Sequence, residues 1–398
     1  MTPGRRVSLG DIIKIKHGFA FKGEDITTER QPHFLVTPGN FSIGGGFKLN
    51  RLKYFKGIPP EEYVLRPGDL VVTMTDLSKN MDTLGYAATV PSLPPGLTAL
   101  HNQRIGLISI TSPDVDQSWL EYRMRASDYR AEVLASSSGS TVHHTSPGRI
   151  LEFQLDLPSL EYQREVASTL SALDDKIESN RRANALISDL LDAKSEKFGA
   201  GLPTVPLRII AKSIKETANP SKLGDAVVDH FSLPAFDSGA RPERAAAARI
   251  MSNKLRVPQH AVLLSRLNPR FNRTWWVTAG TEAMALASTE FLVLTAEDGL
   301  ELAAVWLAVR DPFFREELPK RVTGTSGSHQ RVRPDDALAI EVPDFRSAAL
   351  EVKQSTLALL MRAESLRIES DRVTTLRDSL LPELLFGRRR IPVEGVAV

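Results

Sequence analysis

Residues 128–133 (DYRAEV) and 313–318 (FFREEL) lie 185 positions apart and belong to an ordered series of matches between the two halves of the chain. A fixed offset over several matches indicates an internal repeat, which is sought before any single motif because it sets the whole architecture. The series therefore predicts two similar modules. The other matches at this offset are Gly139-Ser-Thr with Gly324-Thr-Ser, His144 with His329, and Leu155-Asp-Leu-Pro158 with Ile340-Glu-Val-Pro343.

The matches extend on both sides of this series. Upstream, residues 65–73 (LRPGDLVVT) parallel residues 257–265 (VPQHAVLLS), and downstream, IESNR at 177–181 matches IESDR at 368–372. In each half, short apolar runs between Gly and Pro indicate strands; a short helix, a Gly/Ser/Thr-rich turn, a strand ending in proline and a long helix follow. The sequence thus predicts an α+β fold, with two mixed α/β domains, an internal pseudo-two-fold repeat and two long helices.

The long helix after Pro158 carries a heptad pattern. Its seam positions follow alternating steps of four and three, which favours pairing with another helix in a coiled coil. Ser159 is placed to cap its start, and Gly199 and Pro203 to end it. Roughly 40 residues at about 1.5 Å each give about 60 Å, so the helix needs a partner along its length. The predicted seam consists of Val166, Leu170, Leu173, Ile177, Asn180, Asn184, Ile187, Leu191 and Lys194.

A looser apolar stripe over residues 344–386 marks the natural partner helix. The polar seam residues Asn180 and Asn184 cost stability but fix the register of the pair, which matters if the helices act as a spacer. A simple dimerisation coiled coil is the alternative interpretation. The stripe on the second helix consists of Leu350, Leu357, Met361, Ile368, Leu376 and Leu380.

Charge is spread unevenly along the chain, although the formal net charge is only +2. Residues 205–280 carry 12 Lys/Arg and 5 Asp/Glu (+7), residues 1–104 carry 13 and 9 (+4), and residues 159–198 carry 6 and 8 (−2). Two basic regions separated by a slightly acidic one fit two contact surfaces for a polyanion. Ordinary solvated surface is the alternative.

Several classes of protein are disfavoured by composition. The chain has no cysteine, which excludes disulfides, thiolate metal sites and cysteine nucleophiles and fits a cytoplasmic protein. The longest apolar run, residues 302–309, is far short of the ~20 residues that span a bilayer. Charges at residues 1–11 are not followed by an apolar stretch, so no signal peptide is expected. No His/Asp/Glu cluster has metal-ligand spacing.

Local patterns in this order resemble the specificity subunit of type I restriction–modification enzymes, over nearly the whole chain. Residues 7–11 (VSLGD) and 18–22 (GFAFK) resemble the opening of that family's target-recognition domain, and residues 65–73 resemble its central strand. The junction from recognition domain to conserved helix is matched by residues 138–141 (SGST), Leu157, Pro158 and Gln163, and the C-terminal ending by residues 380–387 (LLPELLFG).

The resemblance implies a sequence-specific DNA-recognition subunit that is not itself an enzyme. In this family, two target-recognition domains each bind one half of a bipartite double-stranded DNA target in phage defence. Two conserved helices pack antiparallel, set the spacing between the half-sites and dock two methyltransferase (modification) subunits, which restriction/translocase subunits join. S-adenosylmethionine and ATP/Mg are expected on those partners, and no cofactor or metal on this chain.

The repeat and the resemblance divide the chain into four parts: domain 1 over residues 1–157, a central helix over 158–200, domain 2 over 201–342, and a C-terminal helix and tail over 343–398. The second half departs from the first. Val205-Pro-Leu207 and Gln259-His-Ala261 stand where the first half has its Gly-Phe and Pro-Gly-Asp patterns. The second domain is therefore expected to differ in detail, as it should if it binds a different sequence.

Candidate DNA contacts lie in predicted loops. Phosphates accept hydrogen bonds from Lys, Arg and hydroxyl groups, and Arg, Asn or Gln distinguish base edges in the major groove. The best stretch, residues 266–273 (RLNPRFNR), follows an apolar strand, and Arg266 and Asn268 would face one side of an extended chain. The candidates are Lys22, Asn102, Gln103, Arg104, Ser138, Ser140, Thr141, His144, Arg266, Asn268, Arg270, Asn272, Arg273, Thr325, Ser326, His329, Gln330 and Arg331.

Other interpretations stay open at this point. The Gly/Ser/Thr turns can be purely structural, His144 and His329 can be loop hydrogen-bonders, and Trp275-Trp276 suits a core better than base stacking. The chain could also be a stand-alone DNA-binding regulator, an enzyme fused to recognition domains, or a coiled-coil scaffold. Asn268-Pro-Arg-Phe271 argues against the fused enzyme, because Arg270 replaces the second proline of the adenine methyltransferase motif.

Overall fold

A computed structural model of the chain describes residues 4–139, 142–278, 283–323 and 330–388. Two compact units are present: unit 1 comprises Met1–Asp175 and Thr374–Val398, and unit 2 comprises Lys176–Val373. Each unit therefore contains one recognition module and a part of both long helices. The predicted four-part division of the chain stays a prediction.

Unit 1 is built from many short strands and few helices, as Gly and Pro punctuation predicts. Its helices are α1 (Leu9–Ile12), α2 (Gln117–Arg123), α3 (Ser127–Ala135), α4 (Pro147–Leu151) and the start of α5 (Leu160–Gly199). Its strands are β1 (Arg5–Ser8), β2 (Ile13–His17), β3 (Ile26–Thr27), β4 (His33–Val36), β5 (Lys53–Phe55), β6 (Val64–Leu65), β7 (Leu70–Thr73), β8 (Thr75–Asp76), β9 (Ala87–Thr89), β10 (Thr98–His101), β11 (Ile105–Ile110), β12 (His143–His144) and β13 (Gln154–Leu157).

Unit 2 repeats this plan. Its helices are the remainder of α5, then α6 (Leu207–Ile210), α7 (Leu233–Asp237), α8 (Gly299–Arg310), α9 (Pro312–Lys320), α10 (Pro334–Leu338) and most of α11 (Leu350–Leu385). Its strands are β14 (Thr204–Pro206), β15 (Lys212–Ile214), β16 (Thr217–Ala218), β17 (Val227–Phe231), β18 (Glu243–Ala246), β19 (Lys254–Arg256), β20 (His260–Ser265), β21 (Thr274–Thr278), β22 (Met284–Ala287), β23 (Phe291–Thr295), β24 (Val322–Thr323), β25 (Arg331–Val332) and β26 (Glu341–Pro343).

The sheet topology confirms the internal repeat. A four-stranded sheet has the order β2-β11-β7-β9 in unit 1 and β15-β23-β20-β21 in unit 2. Its central strands β7 and β20 are the two segments paired in the sequence, and their registers agree: Leu70 faces Ile108 in unit 1, and Val262 faces Leu294 in unit 2. All four residues of β7 are buried, because the strand is covered on both faces.

A second sheet of five strands shows where the repeat diverges. Four strands keep one order, β5-β4-β10-β6 in unit 1 and β18-β17-β22-β19 in unit 2, with the inner pair β4–β10 or β17–β22 parallel. The fifth strand pairs at opposite edges: β3 joins β5, whereas β16 joins β19. The predicted difference in detail between the domains is therefore confirmed at the level of strand pairing.

Each unit has its own hydrophobic core. In unit 1, Trp119 and Tyr129 of α2 and α3 are fully buried, and in unit 2 Trp276 and Phe314 are buried to the same degree. The apolar run at residues 302–309 is buried throughout because α8 is enclosed on all sides. Trp275 is also buried, which confirms the core interpretation of the tryptophan pair.

The heptad seam predicted for α5 is confirmed, since all nine of its residues are buried or half-buried. The pairing with α11 is antiparallel. In unit 1, Tyr162 donates to the Leu384 carbonyl (2.7 Å) and Arg377 to Asp174 (2.6 Å). In unit 2, Asn180 donates to Glu369 (3.0 Å) and, farther along α5, Lys194 to Ser355 (2.8 Å).

The stripe predicted for α11 is wrong at four of its six residues, because Met361, Ile368, Leu376 and Leu350 are 42–55% exposed. The other two are half-buried: Leu357 packs on the unit 2 core beside Gly299, and Leu380 packs on the unit 1 core. Two small polar side chains lie on the buried face of α11, where their hydroxyls are satisfied within the helix: Thr356 and Ser370 donate to carbonyls four residues earlier. The buried residues of α11 are Val352, Thr356, Leu360, Leu366, Ser370, Leu384 and Leu385.

Candidate nucleic-acid interface

One end of the four-stranded sheet in unit 1 brings two predicted stretches together. Here β2 and β7 end and β11 begins. Past the end of β2, the backbone N–H of Phe19 donates to His101 (2.8 Å), and Gln103 donates to Phe19 (2.9 Å). Gly18 is required for this approach, because a Cβ on it would lie 2.1 Å from the Asn102 carbonyl oxygen. The segment that leads to Lys22 therefore lies against the turn 102–104.

The second predicted stretch joins the same end of the sheet. Beyond β7, Met74 donates to the Arg104 carbonyl (2.9 Å), and Thr145 donates to Met74 (3.0 Å). The backbones of Ser138 and His144 exchange two hydrogen bonds (3.0 and 2.9 Å). We call this region, which combines residues 18–22, 74–83, 102–104, 138–139 and 142–145, the loop end of unit 1.

The side chains at the loop end of unit 1 differ in what they can reach. Lys22, Gln103, Ser138 and His144 are exposed, and Arg104 is half-buried. The His144 ring shares a hydrogen bond with Thr75 Oγ1 (3.0 Å), which orients its exposed face. These groups can donate to phosphate oxygens or to base edges. The prediction that the Asn102 side chain contacts DNA is corrected. Asn102 is 9% exposed and its Oδ1 accepts from the Arg104 N–H (3.1 Å), so this side chain shapes the turn.

The buried carboxylate of Asp76 was not found from the sequence. It is 3% exposed and accepts from the Ser78 N–H and from both the N–H and the hydroxyl of Thr83, each at 2.6 Å. Burial raises the pKa of Asp76, but these hydrogen bonds outweigh it and hold the pKa below 3.8. Asp76 therefore fixes the loop 77–83, on which Lys79 and Asn80 are exposed. The only local signal was an Asp followed by Ser two residues later, which is too common to single out.

The loop end of unit 2 has the same backbone connections. Arg266, just beyond β20, donates from its N–H to the Glu290 carbonyl (2.8 Å), and Val332 donates to the Arg266 carbonyl (3.1 Å). The Asn268 N–H donates to Gln330 (2.8 Å). The third predicted stretch and the pair Gln330–Arg331 are thereby brought together, as the two stretches are in unit 1. We define the loop end of unit 2 as residues 266–273, 288–290 and 330–332.

The assumption of an extended chain at residues 266–268 is wrong. Asn268 and Asn272 adopt left-handed backbone conformations (φ 49° and 38°) on either side of a 3-10 turn, Pro269–Phe271. Asparagine tolerates this region better than most residues do. The Asn272 Oδ1 accepts from the Thr274 hydroxyl (2.7 Å), so this side chain holds the turn.

Two of the three arginines in residues 266–273, and the neighbouring Arg331, form hydrogen bonds or ion pairs with other groups of the protein. Arg266 donates to the carbonyls of Thr289 (2.5 Å) and Val332 (3.5 Å), and burial lowers its pKa. Arg273 forms a two-bond pair with Asp237 (2.7 and 2.9 Å). Arg331 is paired with Glu290 (2.8 Å), and this pair raises the pKa of Arg331. Arg270 is exposed and lies over the Phe271 ring at 4.8 Å, so it is the arginine of this stretch best placed to meet a ligand.

The match of His144 with His329 changes in the structure. Arg331 pairs with Thr323 in β24–β25 as His144 pairs with Ser138, so Arg331 takes the place of His144. Five predicted contacts lie outside the described residues: Ser140, Thr141, Thr325, Ser326 and His329.

No helix in the described part of the chain has the length and apolar content needed to span a bilayer. Over those same residues, no group of three or more His, Asp or Glu side chains could hold a metal ion.

Comparisons with known proteins confirm the resemblance found in the sequence. No protein-family model matches the chain. A curated protein, the EcoBI type I restriction enzyme specificity subunit of Escherichia coli, is 26% identical over 186 residues, which is 47% of this chain. That alignment spans only 35% of the length of the relative.

Two solved structures are similar to this chain to different degrees. The S subunit of a type I restriction–modification system from M. genitalium aligns with 97% of this chain and 99% of its own, at a TM-score of 0.58 and 13% identity. The HsdS subunit from Thermoanaerobacter tengcongensis covers 98% of both chains at 15% identity, with a TM-score of 0.37. The first of these establishes that this chain has the fold of that S subunit.

Proposed function

We propose that this chain is the DNA-specificity subunit of a type I restriction–modification enzyme, in which each unit binds one half of a bipartite double-stranded target. The observation that carries the proposal is the duplicated loop end. Both units have the same sheet order, and each presents an exposed cation on the loop that follows its central strand: Lys79 in unit 1 and Arg270 in unit 2. A split target is what two similar but non-identical recognition surfaces in one chain are suited to bind.

The proposed ligand is the DNA duplex. Lys22 and Arg270 are exposed cations suited to phosphates, and Gln103 is suited to a base edge. Buried or paired groups such as Asn102, Arg266 and Arg273 keep these loops in place. Residues 205–280 and 1–104, the two basic regions of the sequence, contain most of both loop ends. Binding should therefore weaken steeply as salt concentration rises.

We assign the two long helices the roles of spacer and docking platform for two methyltransferase subunits and the restriction/translocase subunits. Asn180 supports the spacer role, because it is 1% exposed and donates to Leu366 and Glu369 of α11, which fixes the register of the pair. Met361 and Ile368 are exposed and are available to a docking partner, but not to α5.

Catalysis belongs to the partner subunits in this proposal. They would bind S-adenosylmethionine and ATP/Mg, while this chain supplies recognition alone and acts with them in the cytoplasm. The side chains that cluster at the loop ends are fixed by structural hydrogen bonds, among them the one between Thr75 Oγ1 and the His144 ring, or are aimed outward. Such surfaces recognise and orient DNA, and the reaction needs another protein.

The test is to map methylated adenines in the DNA of cells that express this chain together with a methyltransferase subunit of a type I system. We expect a two-part asymmetric motif with a fixed gap. Cells with the methyltransferase alone are the control and should lack the motif. A single continuous motif, or no methylation that depends on this chain, would reject the proposal in favour of a stand-alone DNA-binding regulator or a coiled-coil scaffold.

The spacer role has its own test. Inserting one heptad in both α5 and α11 adds about 10 Å, or about three base pairs at 3.4 Å each. The recognised gap should grow by about three base pairs, with both half-sites unchanged. A heptad insertion in α5 alone is the control, because it breaks the register of the pair. An unchanged gap in the double insertion contradicts the spacer role.

A further inference from the structure

Each unit exposes a large apolar side chain on the loop that follows its central strand. Leu77 comes directly after β8 in unit 1, and Phe271 ends the 3-10 turn after β20 in unit 2; both are 56% exposed. A single exposed apolar residue is ordinary on a protein surface. Two of them, on corresponding loops of two units whose sequences have diverged, indicate a function that both units share.

The loop in unit 2 is mounted rigidly. Asp237 holds Arg273 through two hydrogen bonds (2.7 and 2.9 Å), and Gln330 accepts from the Asn268 N–H (2.8 Å). Left-handed residues flank the turn at both ends, a conformation that costs energy and persists only where the surroundings enforce it. The Phe271 ring is therefore kept outward by the structure instead of folding back onto the core.

The loop in unit 1 reaches the same result by different chemistry. The buried Asp76 carboxylate accepts three hydrogen bonds from Ser78 and Thr83, and Met81 adopts a left-handed conformation (φ 55°). Leu77 lies inside this closed loop and still points to solvent. Rigid mounting matters energetically, because a preorganised group loses little conformational entropy when it binds.

Cations accompany both apolar residues. The guanidinium groups of Arg270 and Arg273 lie 4.8 and 5.0 Å from the centre of the Phe271 ring. In unit 1, Lys79 is exposed two residues after Leu77. An apolar tip beside a cation fits a base step next to a phosphate, since Phe and Leu are side chains that proteins insert between base pairs.

We infer that Phe271 and Leu77 act as wedges that insert into the DNA duplex and unstack one base step in the half-site bound by their unit. The inference rests on the proposed function. Insertion would bend or unwind each half-site, so the sequence at the wedged step contributes to selectivity through its deformability as well as through hydrogen bonds. Flexible pyrimidine–purine steps such as TA or CA are the expected positions.

The experiment uses the full-length chain, with its methyltransferase partner where that is needed for solubility, and duplexes first selected from a random-sequence pool. The adenine analogue 2-aminopurine then replaces a base at successive positions of each half-site, and its fluorescence rises when the base is unstacked. We expect a rise at one step in each half-site. Phe271→Ala should abolish one of the two rises and weaken binding about 10- to 100-fold, the range of a lost base–aromatic contact.

Leu77→Ala should abolish the other rise, with a smaller loss of affinity. Phe271→Trp should retain the rise, because an aromatic wedge remains. Matched controls are Ile209→Ala and Ile43→Ala, since these residues are 54% and 72% exposed and lie outside the loop ends. Both controls should bind as the wild type does, and thermal unfolding should be unchanged in all variants because each replaced side chain is exposed.

The outcomes separate the two claims. If no duplex is selected from the pool, the proposed function itself fails. If duplexes are selected but no position responds in fluorescence, or the response survives in Phe271→Ala and Leu77→Ala, the wedge is rejected and DNA recognition stands. A loss of affinity in Phe271→Ala without any fluorescence change in the wild type also rejects the wedge and leaves a surface contact, such as one with a thymine methyl group.

Discussion

The loop ends of units 1 and 2 have the same backbone hydrogen bonds but different side chains. Met74 and Arg266 occupy one equivalent place, and Arg104 and Glu290 another. The Met74 N–H donates to the Arg104 carbonyl (2.9 Å), and the Arg266 N–H donates to the Glu290 carbonyl (2.8 Å). At a third place His144 in unit 1 corresponds to Arg331 in unit 2. Backbone bonds do not depend on side-chain identity, so the scaffold can stay constant while recognition groups change. Selectivity in such a fold is therefore carried by a few loop side chains.

The units also differ in how each module is fastened to α5. In unit 1, Asp174 accepts from Arg377 and Tyr122 and pairs with Arg125, whose side chain is 6% exposed. In unit 2, Asp192 accepts from Arg310 and Arg315 (2.6–2.8 Å), and the side chain of Arg315 is 32% exposed. The ion pairs of Asp174 in unit 1 are more buried than those of Asp192 in unit 2. Their loss should therefore lower the free energy of unfolding by more.

The largest expected effect is that of Asp174→Asn. It removes the carboxylate that Arg125 and Arg377 share, but Arg125 keeps Glu121 and Arg377 keeps Asp378. The cost is therefore expected at the low end of the range for breaking a buried pair, about 3 kcal/mol. Asp192→Asn should cost less, because water can reach Arg315. Amide hydrogen exchange in residues 117–135 and 299–320 measures the local opening of each unit. Asp175→Asn, which replaces an exposed neighbour, is the control. Faster amide exchange in Asp192→Asn than in Asp174→Asn would contradict the claim that the ion pairs of unit 1 contribute more to stability.

The same site predicts a dependence on pH. Burial raises the pKa of Asp174, but the hydrogen bond from Arg377 and the charge of Arg125 outweigh it and hold the pKa below 3.8. The contribution to stability is therefore complete above pH 3.8 and is lost as the pH falls through the lower folded-state value. The wild type and Asp174→Asn should differ most near neutral pH and converge in acid. Exchange profiles that stay parallel down to acid pH would show that Asp174 contributes nothing through its charge.

A smaller effect is expected where the loops of the two units are braced. Asp76→Asn replaces an acceptor of three hydrogen bonds by a group that must present an amide to donors, which costs about 1–3 kcal/mol. Exchange of the Ser78 and Thr83 amides should accelerate about 5- to 100-fold, whereas Asp237→Asn in unit 2 should accelerate its loop only slightly because that carboxylate is half-exposed. Asp82→Asn is the control. Equal acceleration in both units would contradict the expectation that the buried carboxylate of Asp76 stabilises its loop more than the half-exposed carboxylate of Asp237 does.

The smallest effect concerns the charges at the equivalent places Arg104 and Glu290. Arg104→Ala removes a cation and should lower the slope of log binding constant against log salt by about one unit. Glu290→Ala releases Arg331 and should strengthen binding to non-specific duplex a few-fold. Arg208→Ala, at an exposed position of α6 outside the loop end, should change neither quantity. A salt slope unaffected by Arg104→Ala would exclude Arg104 from the phosphate contacts.

The repeat and the α5 seam could be predicted because they depend on periodicity and order, which the sequence displays directly. The α11 seam could not, since Met361 and Ile368 look like core residues whereas Thr356 and Ser370 are buried after satisfying their hydroxyls within the helix. Likewise, the partners of Arg266 and Arg273 lie 23 to 66 residues away in sequence. From the sequence, every arginine of this basic loop is therefore an equal candidate for binding a ligand. In the folded chain, most of these arginines are paired with other groups of the protein.

Selection of bound sequences from a random duplex pool by the wild type, Gln103→Ala and Arg104→Ala tests the central claim most directly. We expect two short blocks separated by a constant gap for the wild type. Gln103→Ala, which removes the proposed base-edge contact of unit 1, should weaken the sequence preference in one block and leave the other unchanged, whereas Arg104→Ala should lower affinity without changing either block. A single uninterrupted block, or a loss of preference in both blocks from Gln103→Ala, would contradict the proposal of two separate recognition surfaces.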